Sequence, residues 1–514
     1  MNTDKIVSKL QFKEEIRPKI KKENQTIALC HGVFDLVHPG HIIHLEQAKE
    51  MADVLVVSIT AAQYVRKGPG RPYFNDEQRL NFLAALECVD YVLLSEGYTV
   101  DDIVEAVEPD FYVKGSEYAK EEDDLTGMMT SERLLVERHG GQVRYTGGEV
   151  FSSTKLINTA MAGLPTDVIA YMQDFKTRYK VEQIKQYADR MQALKILVLG
   201  DVIIDRYTYC EVQGLISKDM AYSARLKNTE DYLGGSVAIA RHLASFNQHV
   251  TLMSIVGNES DIDRQVKTEL ENIMNLRLYH SEQIPTIIKQ RFLTRNKKRE
   301  EYKKVFAINN IQTNRNYEQK VLDEFVSDLE EEISGYDVVF LCDFGHGLIG
   351  KDIMGIVQKQ AKWLVLNCQT NSTNKGRNLI TKYNRADAFS LDQGELGLAY
   401  PGIVVDEKKS LQQLRDELGG MGWLTRGANG AYGVQATGDN LYECPAFTLN
   451  VRDTIGAGDA FYAVAGIFSA VGAPSELCMV MGNIAGALGA NIVGNKESIQ
   501  KSNVLKYAST LMNV

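Results

Sequence analysis

Between about residues 26 and 160, short apolar runs alternate with stretches whose apolar positions recur at helical spacing. The runs IALC (27–30), VLVVSI (54–59), YVLL (91–94), FYVK (111–114) and QVRYT (142–146) have strand length and strand composition. Strands alternating with helices build a parallel sheet covered on both faces, and such a sheet takes ligands beyond the carboxyl ends of its strands. The pattern predicts a Rossmann-like α/β domain over residues 25–160. Ahead of it, residues 1–24 are charged, with Ile6, Leu10, Ile16 and Ile20 at loosely helical intervals, and predict an N-terminal helical extension. Behind it, residues 161–194 are polar apart from a stripe of Val168, Met172, Phe175, Tyr179, Ile184, Tyr187 and Met191. That spacing predicts an amphipathic connecting helix packed on a domain, and a dimerisation helix would carry the same stripe. A second α/β pattern opens with the strand KILVLG at residue 195 and fills 195–514.

Composition narrows the class. A chain of 514 residues is too long for one ordinary core, and 44% hydrophobic with 24% charged residues fits a globular protein. A net charge of −10 gives no support for a nucleic-acid-binding surface, so local cations and helix ends must hold any anionic ligand. The seven cysteines are scattered without a C-x-x-C pair, which points to reduced thiols and a cytoplasmic location. No signal peptide and no run of membrane-spanning length are expected.

The chemistry concentrates first at residues 31–44, HGVFDLVHPGHIIH, which hold four of the nine histidines. They follow the first strand and lead into a helix, where free backbone N–H groups and the helix dipole favour phosphate. Gly32 and Gly40 let backbone approach a ligand, and Pro39 pre-sets the first helical turn. His38 and His41 are then placed to donate to charge building on an α-phosphate under attack. Gly32-x-Phe34-Asp35 followed by His38-x-Gly40-His41 resembles the cytidylyltransferase-type nucleotidyltransferase superfamily, whose hallmark is H-x-G-H. The resemblance implies nucleotide contacts along Gly32, Val33, Phe34 and Asp35.

Three later stretches are candidates for the same site. Lys67, in the loop RKGPGRP, is either a phosphate contact or part of a solvated basic loop, and Arg71 accompanies it. Arg79 near a helix start is either a phosphate contact or a surface ion pair, and Lys114 ends the fourth strand at the ligand edge. Ser152, Ser153 and Thr154 would ordinarily be helix caps. In the superfamily an S-[ST]-T-x-I segment at this place binds the triphosphate, and the resemblance implies that role for them.

In the second half Asp201 and Asp205 follow the first strand, as carboxylates suited to sugar hydroxyls, or as ordinary turn residues. Gly234 and Gly235 precede a helix and allow close approach by a ligand. Residues 451–461, VRDTIGAGDAF, place Gly456, Ala457 and Gly458 at a helix start, where backbone N–H groups make an anion hole. Asp459 beside it can take the proton of an attacking hydroxyl. The D-T-x-G-A-G-D string resembles the second signature of the ribokinase-like (PfkB) sugar kinases. That resemblance implies a nucleotide-proximal turn at Thr425, Arg426, Gly427 and Gly430, which a plain hairpin would also explain. It implies magnesium at Asp392-x-x-Glu395, with Glu395 acting through water, and an acidic position near the phosphates at Asp343. It also implies a β lid from residue 207 to about 233 that covers the sugar and pairs subunits. The chain departs from the family at Ser236, Val237 and Ala238, where a sugar-binding asparagine is usual, at Asp392, and at Asn367, Cys368 and Gln369, where relatives often have D-P-K.

A kinase producing the phosphate that a nucleotidyltransferase activates resembles the bifunctional heptose enzymes of lipopolysaccharide precursor synthesis, with the domain order reversed. The expectation is a cytoplasmic, homo-oligomeric enzyme, most simply a dimer. It would use Mg2+ and ATP, or CTP, with a sugar or polyol phosphate for cell-surface glycan, and bind neither nucleic acid nor membrane. The rival is a CTP-dependent cytidylyltransferase fused to a ribokinase-like binding or assembly module that has lost catalysis.

Overall fold

Ile27–Gly32 forms β1, the middle strand of a five-stranded parallel sheet of order β3-β2-β1-β4-β5, with β2 at Val54–Thr60, β3 at Tyr91–Ser95, β4 at Phe111–Gly115 and β5 at Gln142–Thr146. All five predicted strands are present, each within two residues of its expected end. The computed structural model describes residues 3–65, 71–115, 128–147, 164–216, 221–296, 301–311, 317–371, 374–402, 406–447, 451 and 453–513. By packing, the chain divides into Met1–Val181 with Lys501–Val514, and Glu182–Gln500.

In the first unit the apolar strand residues point alternately into two hydrophobic layers. One holds Leu29, Val56, Leu93 and Tyr112, the other Cys30, Leu55, Val57 and Val113. The charged N-terminal stretch is helical from Lys9 to Lys22, in short segments. It buries Val7, Phe12 and Ile20 and leaves Leu10 exposed, so the stripe expected through Leu10 is corrected to one through Phe12. Residues 161–194 supply two helices, Thr166–Arg178 and Val181–Arg190, separated where Tyr179 adopts extended backbone. Val168, Met172 and Phe175 are buried on the first, Ile184 and Ala188 on the second.

The second unit is built on a nine-stranded sheet, β10-β9-β6-β13-β14-β15-β16-β17-β18. It is parallel from β10 (Asn275–Ser281) through β9 (Val250–Gly257), β6 (Ile196–Gly200), β13 (Val338–Asp343), β14 (Leu364–Cys368) and β15 (Ala388–Asp392) to β16 (Met421–Thr425). The antiparallel strands β17 (Ala431–Val434) and β18 (Leu441–Cys444) close one end. A separate four-stranded sheet, β12-β11-β7-β8, forms the lid. The expected lid segment is found in β7 (Val202–Leu215) and β8 (Tyr222–Gly235), and β11 (Ile287–Asn296) and β12 (Glu301–Asn310) join it. The helix Ala457–Ala470 is buried along almost its whole length, so its first turn is held rigidly at the carboxyl edge of the large sheet.

Candidate active sites

At the end of β1, His31 is tied to β2, with Nδ1 2.8 Å from Ser58 Oγ and Nε2 3.3 Å from Thr60 Oγ1. Phe34 takes a left-handed backbone conformation, and its ring lies against Gly32, where a Cβ would stand 3.1 Å from the ring. His38 caps the helix Pro39–Glu50, its Nδ1 accepting the Gly40 N–H at 3.1 Å. Burial lowers the His38 pKa, so the ring is neutral at pH 7, and an Nδ1 that accepts leaves its proton on Nε2 as a donor. His41 follows one turn into the helix, the two ring centroids 3.9 Å apart and tilted by 30°.

The neighbouring candidates behave differently. Asp35 is buried and accepts the backbone N–H groups of Tyr73 (2.7 Å) and Phe74 (3.0 Å) while pairing with Arg71 at 3.3 Å, so it clasps the following loop. Arg79, expected as a phosphate contact or a surface ion pair, is fully buried. Its guanidinium donates to Phe74 O (3.1 Å), Val33 O (2.7 Å), Thr60 O (2.9 Å) and Asp76 (2.5 Å), which corrects both readings: it is an internal bracket. Lys114 pairs with Glu132 at 2.8 Å above the Tyr112 ring. Lys67, Ser152, Ser153 and Thr154 lie outside the described residues.

In the second unit a polar cavity of about 250 Å³ opens beside the glycine-rich turn, its wall including Asp205, Lys289, Gln369, Glu395, Gly458 and Asp459. Asp453 braces the turn by accepting Ile455 N (3.1 Å) and Gly494 N (2.9 Å). Gly456 has φ +81°, and a Cβ there would fall 2.2 Å from Asn495 Oδ1, so only glycine fits. Ala457 N is engaged by Thr454 O at 3.3 Å; the amides of Gly458 and Asp459 belong to the first turn, which a helix cannot satisfy from within. Asp459 Oδ1 accepts from Gln369 Nε2 at 3.0 Å. Burial, with Asp205 adding to it, pushes the Asp459 carboxyl up to about 6, against the opposing pull of Gln369 and Lys289.

Asp205 on β7 pairs with Arg291 at 2.5 Å and accepts from Asn495 Nδ2 at 3.1 Å. Gly234 makes room for it, since a Cβ there would come 2.2 Å from Asp205 Oδ2. Asp201 is buried between β6 and β7, with its backbone carbonyl accepting Ser236 N and Oγ. Gly235 and Thr425 line the cavity. Arg426 is drawn instead to Glu407 (3.0 Å) and lies 4.1 Å from the Tyr432 ring centroid, while Gly427 and Gly430 turn the β16–β17 hairpin. Asp392 and Glu395 form a capping box at the helix Gln393–Ala399. The Glu395 oxygens accept Thr370 N and Asp392 N, each at 3.0 Å, and burial with Asp392 pushes its carboxyl up to about 8. Asp343 accepts from Tyr383, Asn378 and Gly345 N and pairs with Lys382, so it organises the loops beneath the cavity.

Sequence reasoning missed Lys289, Arg291 and Asn495. Lys289 and Arg291 alternate on β11, in register with Asp205 and Tyr207 of β7, a period-two signal in IIKQRF that was available.

Comparison with known proteins matches residues 29–160 to the cytidylyltransferase-like family model and residues 193–501 to the pfkB family carbohydrate kinase model. The second match covers more than half the chain, and the chain belongs to the pfkB carbohydrate kinase family. It is also similar to the bifunctional protein HldE of Syntrophotalea carbinolica, 34% identical over 141 residues, which are 26% of this chain and 27% of that one. HldE of Koribacter versatilis is 36% identical over 156 residues, 30% of each chain. The matched stretches thus span under a third of these relatives. Phosphofructokinase-2 from Escherichia coli, solved with substrates and products, aligns over 62% of this chain and 99% of its own, at TM-score 0.49 and 14% identity. The molecule therefore joins a cytidylyltransferase-like first domain to a carbohydrate kinase domain.

Proposed function

We propose that the chain is a bifunctional transferase that makes a nucleotide-activated sugar of the ADP-heptose type for cell-surface glycan, working in the cytoplasm. In the first domain a sugar-phosphate oxygen attacks the α-phosphorus of ATP, the new O–P bond forms and pyrophosphate leaves. His38, through Nε2–H, and His41 donate to the charge that builds on the α-phosphate, with Lys67, Ser152, Ser153 and Thr154 assigned to the triphosphate. In the second domain Asp459 takes the proton of a sugar hydroxyl as that oxygen attacks the γ-phosphorus of ATP and ADP leaves. The Gly458 and Asp459 amides receive the phosphoryl oxygens, and Asp205 orients the sugar.

The observation that carries the reading is the pairing of neutral His38 with His41, 3.9 Å apart at a helix N-terminus on the ligand edge of a parallel sheet. Magnesium fits the kinase site through Asp392 and Glu395, oxygen donors that both line the cavity. The two carboxylates would hold it through water, and it would neutralise the phosphates. Among the described residues no helix is long and apolar enough to cross a membrane. Exposed Leu215, Tyr222, Leu226, Phe306 and Ile308 on the lid support pairing of two copies through that sheet. Pyrophosphate release from ATP with heptose 1-phosphate, and ADP release with heptose 7-phosphate, test the assignment; strict preference for CTP would refute the adenylyl reading.

A further inference from the structure

Gln369 stands where relatives often carry the lysine of D-P-K, and it is the first residue beyond the carboxyl end of β14. Its backbone is pinned on both sides: its N–H donates to Asp343 O at 2.8 Å and its carbonyl accepts from Asn378 Nδ2 at 3.1 Å. The next residue, Thr370, donates its N–H to Glu395 at 3.0 Å. From this fixed backbone the side-chain amide reaches Asp459 Oδ1 at 3.0 Å, and both side chains line the cavity. We infer that Gln369 is a positioning residue for phosphoryl transfer, holding the Asp459 carboxylate by one oxygen so that the other meets the acceptor hydroxyl. The inference rests on Asp459 being the kinase base.

The chemistry explains why an amide suits this place. A neutral donor fixes orientation and favours the ionised carboxylate without supplying a full positive charge, so the base keeps much of its proton affinity. The charged and titratable groups around Asp459 come from several elements, and of these Asp205 and Lys289 shift its titration. Asp205 lies on β7, Lys289 on β11, Cys342 on β13, Glu395 on the helix Gln393–Ala399 and Tyr462 on the helix Ala457–Ala470. Asp205 opposes ionisation and Lys289 favours it, and Gln369 is the one side-chain hydrogen-bond donor to the carboxylate among the described residues. A buried cation in place of the amide would tip that balance towards a weaker base.

The test uses the full chain with ATP and heptose 7-phosphate, following ADP release against pH for the unsubstituted protein, Gln369→Leu and Gln369→Lys. Gln369→Leu is expected to move the acidic limb of the kcat profile upward by about one pH unit and to lower the plateau kcat roughly tenfold, with the KM for ATP unchanged. Gln369→Lys is expected to move the limb downward. The inference is overturned if the limb stays in place in both variants, or if only KM changes. A parallel measurement needs no substrate: the carboxyl-13C shift of Asp459, assigned through Asp459→Asn, titrates at higher pH in Gln369→Leu. If the unsubstituted protein releases no ADP but this titration moves as expected, the substrate reading fails and the positioning role of Gln369 stands.

Discussion

Arg79→Met removes the guanidinium that brackets the first domain's ligand edge. The side chain is fully buried and its donors reach three backbone carbonyls, those of Val33, Thr60 and Phe74, as well as Asp76. Val33 belongs to the turn after β1 and Thr60 ends β2, so one cation ties the G-x-F-D turn to the neighbouring strand. Each hydrogen bond to a charged donor contributes about 1.5–3 kcal/mol, but four bonds from one group are not additive. Removing one partner of a buried charged cluster costs about 3–5 kcal/mol, because the acceptors left behind stay dry and unpaired. Hydrogen exchange on the full chain reads this directly. Amides of β1 and β2 should lose protection by a factor of roughly 100 or more, since about 1.4 kcal/mol corresponds to tenfold. Strands of the second unit should keep theirs. Arg79→Lys should lose nearly as much, because an ammonium cannot span the same fork of acceptors. Unchanged protection in β1 together with a raised KM for the triphosphate would refute the bracket and restore Arg79 as a ligand contact.

His38→Asn keeps a side-chain acceptor for the Gly40 N–H but loses the Nε2 donor; melting should stay within about 1 kcal/mol of the parent while nucleotidyl-transfer kcat falls on the order of 100-fold. Asp459→Asn should abolish ADP release and stabilise the fold. The carboxyl titrates near 6 when folded and near 3.8 when unfolded, so stability present below pH 4 is lost as pH rises through 6. The variant's advantage in chemical denaturation should be absent at pH 4 and reach on the order of 2 kcal/mol above pH 7, and an equal stability of the two proteins at all pH values would refute the burial of that charge. Gly234→Ala puts a methyl 2.2 Å from Asp205 Oδ2 and must push the carboxylate off Arg291 and Asn495, at a cost of about 1–3 kcal/mol. The kinase KM for its sugar should rise by tenfold or more, with pyrophosphate release from the first domain unaffected.

The strands of the first domain and the opening strand of the second were legible because buried parallel strands are written as continuous apolar runs, as in VLVVSI and KILVLG. The H-x-G-H segment and the G-A-G-D turn were legible because local backbone chemistry alone places their groups at helix starts. Arg79 was misread because its role depends on carbonyls 5, 19 and 46 positions away in the chain, which no local pattern reports. Arg426 looks like a phosphate ligand in the string T-R-G, but Glu407 and Tyr432 draw it aside. Lys289, Gln369 and Asn495 reach the kinase cavity from three separate strands and loops, so only the assembled sheet and lid bring them together.

The most direct test of two independent active sites is a crossed assay on the full chain, measuring pyrophosphate release with heptose 1-phosphate and ADP release with heptose 7-phosphate in His41→Ala and Asp459→Asn. His41→Ala should lose the first reaction and keep the second, and Asp459→Asn should do the reverse. If either substitution abolished both reactions, or if both reactions survived the two substitutions, the division of chemistry between the paired imidazoles and the buried carboxylate would be wrong.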